Sequence, residues 1–134
     1  MIGAVIVTHG RLAEALLEAA EAITGKVEGV RILTLSRSDT TDGIRDVLRA
    51  AVSEVDSGKG VLVFTDMFGG TPTNIALSAF EEDRVEVITG VNLPMVLKYV
   101  SHRSDKGLGE LSELLKEYAR KSIVLAGEML KDKK

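Results

Sequence analysis

The chain has 134 residues, of which 45% are hydrophobic and 28% charged, and its formal charge is -3. That length and balance fit one soluble globular domain, expected to span 1–134. They exclude a disordered or fibrous chain and the broad basic footprint of a nucleic-acid binder. Cysteine is absent, which excludes disulfides and thiolate metal sites, suits a reducing compartment and makes the cytoplasm the expected location.

Ile2 to Val7 is a continuous apolar run rich in β-branched residues, the pattern of a strand covered on both faces in a parallel sheet. It stops at Thr8-His9-Gly10, too short for a signal peptide or a membrane span, so no membrane insertion is expected. From Arg11 to Ile23, the spacing of Leu12, Ala15, Leu16, Ala19 and Ala20 predicts a helix, with Gly25 near its end. Val30 to Leu35 reads as a second strand. Thr41 or Asp42 can cap a helix to about Val55, whose apolar stripe is Ile44, Val47, Leu48, Ala51 and Val55. Val61 to Thr65 is the third strand, and it runs straight into Asp66-Met67-Phe68-Gly69-Gly70-Thr71-Pro72. Pro72 suits a helix start, with Thr73 to Phe80 continuing it. Val85 to Ile88 is a fourth strand, Asn92-Leu93-Pro94 opens a helix to about Val100, and Ser101 to Gly109 is a polar turn. Glu110 to Arg120 is a further amphipathic helix, Ser122 to Leu125 reads as a fifth strand, and the basic Lys131 to Lys134 tail reads as a solvated end.

Strands alternating with helices predict an α/β, doubly wound fold. Its sheet is mostly parallel, with four strands plus a C-terminal edge strand and helices on both faces. Ligands of such sheets bind beyond the carboxyl ends of the strands where strand order reverses, commonly between the first and third. His9 and Asp66 follow those two strands.

An imidazole with an ordinary pKa of about 6.5 is largely neutral near pH 7, which leaves one ring nitrogen free as a nucleophile toward a phosphoryl group. A carboxylate that accepts a hydrogen bond from the other nitrogen fixes the tautomer and stabilises the charge that grows during attack. Asp66 is the candidate orienter for His9. The outer oxygens of a transferring phosphoryl group call for preorganised donors. Gly69, Gly70 and Thr71 supply backbone N–H groups at a helix start, a hydroxyl, and glycines that permit close approach. Arg11 is a further group within reach. Each feature also has an ordinary explanation: a loop histidine, a turn, a helix start, an aspartate cap. Their convergence on one sheet edge favours a site. Met67 and Phe68 read either as packing residues or as an exposed contact patch, and His102, in a polar stretch, as solvated surface. No metal-ligand spacing and no Gly-x-x-x-x-Gly-Lys-[Ser/Thr] loop is present, so no metal or nucleotide cofactor is expected.

Three ordered motifs, Val5-Ile6-Val7-Thr8-His9-Gly10, Asp66 to Pro72, and Gly90-Val91-Asn92-Leu93-Pro94-Met95, carry a resemblance over essentially the whole chain. The sequence resembles the mannose-family enzyme IIA domains of the bacterial phosphoenolpyruvate-dependent sugar phosphotransferase system. The resemblance implies that His9 accepts a phosphoryl group from the histidine-containing phosphocarrier protein and passes it to a histidine of an enzyme IIB partner, with Asp66 orienting it. It also implies a homodimer that exchanges a C-terminal strand within Lys121 to Leu130. Family members are often fused to a IIB domain, so a chain ending at Lys134 is expected to need a separate one. The alternatives are the phosphotransfer subunit of a dihydroxyacetone kinase and a regulatory module whose binding depends on phosphorylation. Gly69-Gly70-Thr71-Pro72 and Asn92-Leu93-Pro94 favour the mannose type over the kinase subunit.

Overall fold

The apolar runs pair as a four-stranded, fully parallel sheet in the computed structural model, which describes residues 1–35 and 39–131. Strands β1 (Gly3–Thr8), β2 (Val30–Thr34), β3 (Val61–Thr65) and β4 (Val85–Ile88) lie in the order β2-β1-β3-β4. β1 and β3 are central and buried along their whole length. That burial on both faces is why their sequences read as unbroken apolar runs.

Successive side chains point to opposite faces and build two cores. Ala4, Ile6, Leu62 and Phe64 pack with α1 (Leu12–Thr24), α4 (Leu93–His102) and α5 (Leu108–Lys121). Val5, Val7, Val61 and Val63 pack with α2 (Thr41–Val55) and α3 (Gly70–Leu77). The chain therefore leaves β1 toward β2 over one face and returns to β3 over the other, so the switch point lies between β1 and β3. In that register Val7 stands opposite Thr65. His9 and Asp66 thus emerge side by side at the carboxyl edge.

Several local expectations shift. α2 is capped by Thr40, whose hydroxyl accepts the Gly43 N–H at 3.1 Å, rather than by Thr41 or Asp42. The α2 stripe includes Val52 and leaves Val47 exposed. In α1, Ala13 and Ala20 face the core while Leu12 and Ala15 do not. Small side chains let this helix lie close on the sheet. α3 ends at Leu77, short of the expected Phe80, which is exposed. α4 begins as expected, with the Asn92 side chain accepting the Met95 N–H at 3.0 Å.

The expected C-terminal edge strand is the larger correction. Among the described residues, Ser122 to Leu125 pairs with no strand and leads into a short helix, α6 (Ala126–Lys131), with no buried residue. A strand needs a hydrogen-bonding neighbour, and this stretch bonds to no strand among the described residues, so its β-branched composition alone does not make one. Of the basic tail, 132–134 lies outside the described residues.

Candidate functional site

His9 follows the last residue of β1, and Asp66 follows the last residue of β3. One carboxylate oxygen, Asp66 Oδ2, accepts the His9 backbone N–H at 3.0 Å and lies 2.8 Å from His9 Nδ1. A carboxylate only accepts, so the ring nitrogen facing it carries the proton, which places the free lone pair of the neutral ring on Nε2. The His9 side chain is 54% exposed and that of Asp66 12%. The ring is thus largely exposed while the carboxylate that faces its Nδ1 is mostly buried. Burial pushes the Asp66 carboxyl up, but the His9 backbone N–H and ring outweigh it and hold the group below the usual carboxylate range. It is therefore ionised near neutrality.

Gly69 and Gly70 form the turn into α3 with φ of 92° and 82°, the left-handed region that side chains rarely adopt. A Cβ on Gly70 would lie 3.2 Å from His9 Cε1 and 3.4 Å from Nε2. The backbone at the start of α3 therefore passes alongside the nucleophilic edge of the ring. The first turn of any helix holds N–H groups without intrahelical partners and the positive end of its dipole. Here no side chain caps that end. Thr71 is exposed in the same turn. Of the expected set, His9, Asp66 and Gly70 thus meet at one edge of the sheet, and Gly69 and Thr71 flank Gly70 in the same turn.

Arg11 does not join it. Its guanidinium makes a two-pronged contact with Glu14, at 3.1 and 3.0 Å, on the exposed start of α1. His102 has a partner, Asp105, at 3.3 Å. Among the described residues no three His, Asp or Glu side chains gather to hold a metal ion, and no helix is long and apolar enough to cross a membrane. Phe68 is 79% exposed and Met67 54%, beside the site. They present apolar surface rather than packing inward, as a contact patch would. Thr8 was not singled out from the sequence: its buried hydroxyl accepts the Ala13 N–H at 2.8 Å, fixing the loop that carries His9. A hydroxyl ending an otherwise apolar strand was the available signal.

A family model described as PTS system fructose IIA component, EIIA-man, matches residues 3–116. The chain is 34% identical over 124 residues to the PTS system mannose-specific EIIAB component of Escherichia coli, covering 91% of this chain and only 38% of that longer protein. It is 30% identical over 131 residues to the PTS system fructose-specific EIIA component of Bacillus subtilis, covering 97% and 90% of the two chains. Among solved structures, the phosphotransferase system component EIIA of Streptococcus agalactiae superimposes with a TM-score of 0.85 at 26% identity, over 96% of this chain and 99% of that one. A PTS IIA protein associated with the fucose utilization operon of Streptococcus pneumoniae does so with a TM-score of 0.84 at 30% identity, over 96% and 95%. With the family model matching most of the chain and the fold shared from end to end, the chain belongs to the mannose-type enzyme IIA components of the sugar phosphotransferase system.

Proposed function

We propose that this chain is a cytoplasmic phosphohistidine carrier. It accepts a phosphoryl group on His9 from the histidine-containing phosphocarrier protein and passes it to an enzyme IIB partner during sugar uptake. The observation that carries this reading is the 2.8 Å contact of Asp66 Oδ2 with His9 Nδ1, which leaves Nε2 open beside Gly70. In the forward step the Nε2 lone pair forms a bond to phosphorus as the phosphorus–nitrogen bond to the donor histidine breaks, and the donor keeps that electron pair. The Nδ1 proton stays in its hydrogen bond while Asp66 offsets the positive charge growing on the ring. Gly69, Gly70 and Thr71 hold the outer oxygens at the start of α3. The same parts in reverse release the group to the acceptor.

The reading includes a homodimer in which a C-terminal stretch within Lys121 to Leu130 pairs with the partner's sheet. It is supported by the exposure of Ile123, Val124 and Leu125, at 79%, 61% and 67%, and by the position of β4 at the edge of the sheet, with no strand beyond it among the described residues. The test is incubation with phosphoenolpyruvate, enzyme I and the phosphocarrier protein, followed by intact mass and acid treatment. One acid-labile phosphoryl group is expected, absent from His9→Ala. A chain left unlabelled by active phosphocarriers would point instead to a binding module that keeps the fold without the chemistry.

A further inference from the structure

Among the described residues, the core encloses three polar side chains: Thr8, Thr65 and Thr73, each no more than 1% exposed. Thr8 and Thr65 end the two central strands, and Thr73 lies in the first turn of α3. Thr73 Oγ1 is 2.5 Å from the Met67 carbonyl oxygen and 2.8 Å from Thr65 Oγ1. A hydroxyl has one proton, and a carbonyl can only accept. The Thr73 proton therefore goes to Met67, and Thr65 must donate to Thr73. The result is a directed relay from the buried Thr65 hydroxyl through the Thr73 hydroxyl to the Met67 carbonyl at the surface. Thr65 is itself fixed, since its carbonyl accepts the Val91 N–H at 3.0 Å.

A threonine within a helix commonly bonds back to a carbonyl one turn earlier, inside the helix itself. Thr73 instead reaches past the start of α3 to Met67, in the loop between Asp66 and Gly69-Gly70. We propose that Thr73 is a positioning residue for phosphoryl transfer: it clamps that loop so that the Asp66 carboxylate meets His9 Nδ1 while Gly70 lies against Nε2. Its branched side chain has few rotamers, which makes the clamp stiff. The inference rests on the reading of His9 as the carrier.

The test combines the initial rate of phosphoryl uptake from the phosphorylated carrier protein with nitrogen-15 resonances of the His9 ring, which report its tautomer without any phosphorylation. Thr73→Val keeps the shape and removes the donor. It is expected to slow uptake roughly 10- to 100-fold, the scale of a small misplacement of reacting groups, and to mix the ring tautomers. Thr73→Ser restores the donor and is expected to return both readouts most of the way. Thr65→Val with Thr73→Val removes both hydroxyls, so much of the lost thermal stability returns, yet uptake stays slow because the Met67 carbonyl still lacks its donor. Thr73→Val at the wild-type rate with one tautomer, failure of the serine to rescue, or a double variant that regains rate together with stability would each overturn the proposal. Wild-type protein that takes up no phosphoryl group would overturn the carrier reading instead, and the tautomer measurement would still decide whether Thr73 positions the ring.

Discussion

A single oxygen of Asp66 holds His9 twice, accepting its backbone N–H at 3.0 Å and meeting its ring Nδ1 at 2.8 Å. The first contact fixes where the residue leaves β1, and the second fixes which way the ring faces. Two loops that are distant in sequence are thereby locked together at the switch point of the sheet, and the same oxygen decides which ring nitrogen carries the proton.

Asp66→Asn separates these roles. The amide keeps an oxygen for the backbone N–H but carries no charge, so it no longer compels Nδ1 to hold the proton. Phosphoryl uptake is expected to fall by about 10²- to 10⁴-fold, the upper figure being the loss when asparagine replaces the orienting aspartate of a hydrolytic triad. Circular dichroism should be unchanged. Stopped-flow transfer from the phosphorylated carrier protein measures the rate, and a value near that of wild type would remove Asp66 from the mechanism.

Gly70→Ala tests the approach of the α3 backbone to the ring. A methyl group there sits 3.2 Å from His9 Cε1 and 3.4 Å from Nε2, on a residue with φ of 82°. The ring has to tilt away from Asp66 or the turn has to open, and the left-handed backbone costs a further 1 to 2 kcal/mol or about that order. A modest drop in melting temperature is expected, together with a fall in uptake of roughly tenfold or more from the misaligned nucleophile. Uptake at the wild-type rate would show that the phosphoryl group does not use this turn.

Much of this arrangement is legible before any coordinates. β1 and β3 announce themselves because a central parallel strand is apolar on both sides, and once they are adjacent the residues after them must meet. The relay through Thr65 and Thr73 is not legible, since isolated threonines carry no periodic signal and their partners are fixed only by the turn into α3. The α2 cap falls one residue before the expected Thr41 or Asp42, because Thr40 is an equally competent acceptor and only the backbone path selects it. Ala13 and Ala15 of α1 look alike in composition, and close helix–sheet packing chooses Ala13 as the one that faces inward. Ser122 to Leu125 has the composition of a strand, but pairing is a property of neighbours.

Asp56 at the opposite end of the sheet contributes to acid sensitivity. Its carboxyl is held below the ordinary value, first by the Gly58 N–H at 2.8 Å and, against a penalty from burial, also by Arg84 at 3.1 Å and the Gly60 N–H. A depressed carboxyl stabilises the fold above its unfolded pKa of about 3.9, and that contribution fades as pH falls through the lower folded value. Near pH 7 it is fully present. Denaturant unfolding at pH 7 and near pH 3 should therefore show a smaller loss of stability on acidification for Asp56→Asn than for wild type. Equal losses in the two proteins would mean that other carboxylates set the acid limit.

The C-terminal segment supplies the last prediction. Ile123, Val124 and Leu125 are exposed by 79%, 61% and 67%, Met129 and Leu130 of α6 are also exposed, and no residue of that helix is buried. A contiguous apolar stretch left in water is costly, and removing it from water contributes about 25 cal/mol for each Å² covered. Pairing alongside β4, the edge strand of the sheet, in a second copy would cover this apolar surface. Sedimentation of the wild-type chain should therefore report a dimer, and the combined change Ile123→Ser, Val124→Ser and Leu125→Ser should shift it to a monomer. Because these side chains contribute nothing to either core, the variant should retain its helical signal and still accept a phosphoryl group on His9. A wild-type chain that stays monomeric at every concentration would overturn the exchange, and a variant that stays dimeric would move the interface to another face.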